Sequence, residues 1–75
     1  MRKEIEQLIR NAQTYCQDRL VQVSGLSVDN MFEDDLLKAM IPALYNADLD
    51  DELKNLYSID ELKSDLIELF KNSLI

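Results

Sequence analysis

The residues that could carry chemistry in this 75-residue chain are carboxylates, a few hydroxyls and one cysteine, and histidine is absent. The absence of histidine removes the commonest general base and a frequent zinc ligand. Cys16 falls within a stripe of apolar residues and has no lysine close by in the sequence, which is typical of an inert buried thiol. No nucleophile–base pair, glycine-rich phosphate loop or zinc-ligand spacing occurs. We therefore predict no catalytic residue and no enzymatic activity.

The acidic run at residues 48–52 has the carboxylates at alternate positions that begin an EF-hand calcium loop. The sixth position of such a loop would be Leu53, where glycine is needed for the turn. Its twelfth position would be Ile59, where a bidentate glutamate is needed. We therefore predict no metal site, and no other pattern in the chain indicates a cofactor.

Charge is distributed unevenly along the chain. Residues 1–25 have four basic and three acidic residues, a net charge of +1, whereas residues 26–75 have four basic and twelve acidic residues, a net charge of −8. The total of −7 disfavours nucleic acid and anionic membranes as direct partners, because both repel it. It favours a basic protein surface, such as one that itself holds nucleic acid.

Half of the acids in residues 26–75 fall at predicted helix starts, where they satisfy free N–H groups and the positive end of the helix dipole. These are Asp29, Asp48, Asp50, Asp51, Asp60 and Glu61. The others are Glu33, Asp34, Asp35, Glu52, Asp65 and Glu68. This second group forms either an ordinary solvated surface or a negative patch that docks on a basic partner.

The spacing of apolar residues predicts helices throughout a single domain, residues 1–75. We expect an all-α bundle of three longer helices and one short one. Helix one covers residues 3–23 and stops at Ser24-Gly25, helix two follows a cap at Ser27, and a short helix three starts after Asp48. Ser58 and Glu61 form a capping box for helix four. Its apolar stripe is Ile59, Leu62, Leu66, Ile67, Leu69, Phe70 and Leu74.

Helix two is apolar on two sides. We assign its core-facing side to Phe32, Leu36, Leu37, Ala39, Met40, Ala43, Leu44 and Ala47. Ile41 and Tyr45 then lie on the other side, so this helix is either central in the bundle or contacts another molecule. Pro42 predicts a kink, or else an end of the helix near Met40.

Arg19 falls among the apolar residues of helix one, near the helix C-terminus. A guanidinium there needs a carboxylate or a route to solvent. It forms either a salt bridge to a neighbouring helix or an anchor for a carboxylate of a partner.

Two families share features with this chain. Its length, acidity and helix count resemble those of acyl carrier proteins, but their Asp-Ser-Leu motif is replaced by Leu26-Ser27-Val28. A long first helix followed by an apolar helix ending in Ala43-Leu44-Tyr45-Asn46 is similar to small head–tail connector proteins of tailed phages. The first resemblance would make Ser27 a carrier serine, and the second would make the chain an assembly subunit.

We predict a non-enzymatic protein–protein interaction module, a small acidic regulator or inhibitor of phage or mobile-element type that docks on a basic surface. The predicted binding residues are Glu33, Asp34, Asp35, Ile41, Tyr45 and Glu52. The alternatives are a homo-oligomeric assembly subunit, with Ile41 and Tyr45 between copies, and an acyl-carrier-like protein. A single cysteine and the lack of an apolar signal region lead us to expect the cytoplasm, or a host cytoplasm for a phage protein.

Overall fold

The computed structural model describes the backbone of residues 2–73 and the side chains of residues 2–72. Leu74, predicted in the stripe of helix four, lies outside the described residues. Within them the chain forms three longer α-helices and one short one, with no strand, which confirms the all-α prediction. The helices are α1 (Lys3–Gln22), α2 (Asp35–Asp48), α3 (Asp51–Leu56) and α4 (Ile59–Ser73), with one 3₁₀ turn at Met31–Glu33.

Helix α1 ends at Gln22, within one residue of its predicted end. Val23 donates its backbone N–H to the Arg19 carbonyl at 3.0 Å, and Gly25 follows with φ of +90°, in the region that favours glycine. The buried side of α1 is Ile5, Leu8, Ala12 and Cys16, spaced three or four residues apart. Both α2 and α4 pack against α1.

The start of α2 differs from the prediction. Ser27 lies in the preceding loop, where its Oγ accepts the backbone N–H of Asn30 at 3.3 Å. Asp34 is the N-cap, because its carboxylate accepts the N–H groups of Leu36 and Leu37 at 3.1 and 3.3 Å. Residues 27–33 therefore form turns and the 3₁₀ segment, and the Ser27 cap was wrong.

Helix α2 runs through Pro42 to Asp48, so the alternative of an end near Met40 was wrong. The kink at Pro42 stays a prediction.

Local caps also set the boundaries of α3 and α4. Asp50 accepts the N–H of Leu53 at 2.9 Å, which caps α3. Ser58 accepts the N–H of Glu61 at 3.1 Å, as its capping box predicts. The core that these elements enclose is Ile5, Leu8, Ala12, Cys16, Met31, Leu37, Ile41, Tyr45, Leu49, Leu53, Tyr57, Leu62, Leu66 and Phe70.

Candidate protein-binding surface

One side of α2 is apolar and faces away from the core. We call it the α2 outer face and define it as Leu36, Ala39, Met40, Ala43 and Ala47. At 3.6 residues per turn these positions span an arc of about 100°. The three alanines are exposed, Leu36 is 51% exposed and Met40 is half-buried. The chain's own helices therefore leave this stripe largely uncovered.

The assignment of the two sides of helix two was wrong. Ile41 is fully buried and Tyr45 nearly so, with Leu37 beside them on the same side of α2. The residues assigned to the core include Leu36, Ala39, Ala43 and Ala47, which are exposed. Ile41 and Tyr45 are thus buried within the chain, and neither offers a partner an exposed apolar anchor.

Tyr45 has a polar role inside the core. Its hydroxyl donates to the backbone carbonyl of Tyr57 at 2.6 Å and lies 3.3 Å from that of Lys54. These carbonyls belong to the end of α3, so Tyr45 joins α2 to the connection before α4. Burial raises the pKa of the Tyr45 hydroxyl, which stays protonated and keeps donating at neutral pH.

Asp34 and Arg19 form an ion pair between helices. The Arg19 Nε and Nη2 atoms donate to the two Asp34 carboxylate oxygens, each at 2.9 Å, and the Asp34 side chain is only 10% exposed. The hydrogen bond from Arg19 lowers the Asp34 pKa, and the N–H groups of Leu36 and Leu37 add to this. Asp34 is therefore a structural residue with its acceptors occupied, and Arg19 pairs within the chain.

The other three predicted acids are exposed, but they do not form one patch. Glu33 lies 3.7 Å from Lys38, and Asp35 follows in the first turn of α2. Glu52 lies 3.9 Å from Arg2, which precedes the N-terminal end of α1. Arg19 and Asp34 lie at the C-terminal end of that helix. Positions 2 and 19 are seventeen residues apart, which corresponds to a distance of about 25 Å along the helix axis. The structure thus brings Glu33 and Asp35 together and leaves Glu52 far from them.

The sequence analysis did not identify the α2 outer face as exposed, because it assigned these residues to the core. Both sides of the helix are apolar, so periodicity alone could not distinguish them. The size of the side chains was the available signal: the buried side has Leu37, Ile41 and Tyr45, whereas three of the five outer residues are alanine.

The Cys16 thiol lies in the core, where it is fully buried. Burial raises the pKa of the Cys16 thiol to about 11, which keeps it protonated. Across residues 2–72, the side chains of His, Cys, Asp and Glu form no cluster suited to a metal ion. None of the helices within the described part of the chain has the length and apolar character needed to cross a membrane.

Comparison with protein-family models, curated proteins and solved structures finds no match to this chain.

Proposed function

We propose that this chain is a non-enzymatic protein-binding module that docks its α2 outer face on a basic partner. The exposure of Leu36, together with the alanines beside it, carries this proposal. A helix with an exposed apolar stripe gains free energy when another molecule covers that stripe. Small side chains such as Ala39 and Ala43 also let a partner backbone approach closely.

Acids near both ends of α2 indicate the charge of the partner. Glu33 and Asp35 flank its N-terminal end, while Asp51 and Glu52 follow its C-terminal end. An apolar stripe between two acidic regions is complementary to an apolar surface flanked by lysine or arginine. Such complementarity speeds encounter and rejects acidic partners. By covering a basic surface, the chain would act as a regulator or inhibitor of its partner.

A second copy of the chain is a less suitable occupant. Each copy has a net charge of −7, and pairing the outer faces would bring the acids near the ends of α2 together. Like charges across an interface oppose association. The homo-oligomeric alternative is therefore an outcome of the test below.

The test is affinity capture from cells that produce the protein, with quantitative mass spectrometry. The variant Leu36→Gln/Met40→Gln makes the α2 outer face polar, and Leu56→Gln, at an exposed position of α3, is the matched control. We expect wild type and the control to capture the same basic protein. The double variant should bind that protein about tenfold more weakly, because apolar anchors dominate interface energies.

The captured protein then provides a second measurement. Replacing Glu33 and Asp35 by Gln and Asn should reduce the dependence of its affinity on salt. Equal capture by the double variant, an acidic partner, or no specific partner would contradict the proposal. Light scattering that shows a dimer sensitive to Leu36→Gln would replace it with the homo-oligomeric alternative.

A further inference from the structure

A groove between α1 and α4 lies apart from the α2 outer face. Its volume is about 330 Å³, and it is lined by Ile9 of α1 and by Asp65, Glu68, Leu69 and Asn72 of α4. At 3.6 residues per turn the four α4 residues fall within an arc of about 100°, so they share one side of that helix. Ile9 and Leu69 give the groove an apolar lining, and Asp65 and Glu68 place two carboxylates beside it.

The Asp65 carboxylate is held in position from inside the chain. The Tyr57 hydroxyl donates to Asp65 Oδ2 at 2.6 Å, and Tyr57 itself is buried. Burial raises the pKa of Tyr57, so the hydroxyl stays protonated and continues to donate. Among the described residues no donor reaches the other oxygen, Oδ1. Asp65 thus lines the groove with one carboxylate oxygen that accepts no hydrogen bond from a described residue.

The two carboxylates of this groove form no ion pair with a cation among residues 2–72. Within residues 2–72 the ion pairs are Arg2–Glu52, Arg19–Asp34, Lys38–Glu33 and Lys71–Asp29. None of them includes Asp65 or Glu68. Two carboxylates beside an apolar lining are complementary to a group that is apolar along its length and positive at its end.

We propose that the groove binds a long cationic side chain, arginine or lysine, of another protein. The aliphatic part of that side chain packs on Ile9 and Leu69, and its charged end reaches Asp65 Oδ1 and the Glu68 carboxylate. The described residues that line the groove belong to α1 and α4, so this proposal does not depend on the α2 outer face.

Nuclear magnetic resonance of the ¹⁵N-labelled chain tests the proposal, with N-acetyl-arginine amide as the probe. N-acetyl-norleucine amide, which has an aliphatic side chain without charge, is the control ligand. We expect saturable shifts, in the millimolar range, of the backbone amides of Ile9, Asp65, Glu68, Leu69 and Asn72. The norleucine compound should leave these amides unchanged at the same concentration.

Two variants distinguish a site from general attraction to an acidic protein. Asp65→Asn keeps an oxygen that Tyr57 can donate to, and Glu68→Gln changes an exposed side chain. Each variant should lower the affinity for the arginine probe about threefold, since an exposed ion pair contributes little by itself. The control Glu4→Gln/Asp18→Asn removes two exposed charges from α1 and should leave the affinity unchanged.

The spectra themselves report whether each variant is folded. Shifts spread evenly over the acidic surface, an equal response to the norleucine compound, or unchanged affinity in folded Asp65→Asn and Glu68→Gln would overturn the proposal.

Discussion

The two sides of α2 are both apolar, yet one is buried and the other is exposed. The buried side has Leu37, Ile41 and Tyr45, which fill the space against α1 and the end of α3. The α2 outer face has three alanines among its five residues. Burial of a large aliphatic side chain stabilises a fold by about 1.5–3 kcal/mol, and alanine gains much less. In an apolar helix, side-chain volume therefore indicates the core side better than apolar character does.

Truncating one residue on each side of α2 tests this difference with the largest expected effect. Ile41→Ala should lower the free energy of unfolding by about 3 kcal/mol, because it leaves a cavity at a fully buried position. Leu36→Ala on the α2 outer face should change it by about 0.5 kcal/mol or less. Urea unfolding followed by circular dichroism measures both. Similar losses for the two variants would show that the sides are not distinct.

A smaller effect is expected from the polar group on the buried side. Tyr45→Phe removes the hydroxyl that donates to the Tyr57 carbonyl, and it should reduce the free energy of unfolding by about 1 kcal/mol. Tyr15→Phe, at an exposed tyrosine of α1, serves as the control and should have no effect. The same urea experiment applies. If both variants unfold like wild type, Tyr45 contributes only its ring to the core.

The distinction between inner and outer positions continues at the N-terminal end of α2, where Asp34 pairs with α1 and Asp35 is exposed. The folded-state pKa of Asp34 lies below its ordinary value of 3.8, mainly through the hydrogen bond from Arg19. Its stabilising effect is therefore complete above that ordinary value and disappears as the pH falls through the lowered pKa. Asp34→Asn should lower Tm at neutral pH, and the difference from wild type should narrow in acid.

Thermal unfolding followed by circular dichroism, from about pH 6 to about pH 2, measures that difference. Asp35→Asn is the matched control, with the same loss of charge one residue away and no contact to Arg19. The Tm of Asp35→Asn should differ less from that of wild type, and this difference should not narrow in acid. A constant Tm difference for Asp34→Asn at every pH would contradict the role given to the ion pair.

Sequence reasoning was most successful where a helix boundary depends on neighbours in the chain. Gly25 ends α1, and Ser58 with Glu61 begins α4, because these signals act over three or four residues. It failed at the start of α2, where it placed the cap at Ser27, whereas Asp34 is the N-cap. Asp34, the residue that caps α2, also pairs with Arg19, which is fifteen residues away in sequence. Of the predicted binding residues, Glu33, Asp35 and Glu52 are exposed, whereas Asp34, Ile41 and Tyr45 serve the fold.

Composition and contacts between near neighbours in the chain account for the all-α class, most of the helix boundaries and the acidic character, so these properties could be predicted from the sequence. The exposed side of α2 and the pairing of the carboxylates could not be predicted in this way. Those outcomes depend on groups far apart in the chain, such as Tyr45 with the Tyr57 carbonyl and Arg19 with Asp34. A helical period places residues on a common side, but the packing of the other helices determines whether that side meets the core or the solvent.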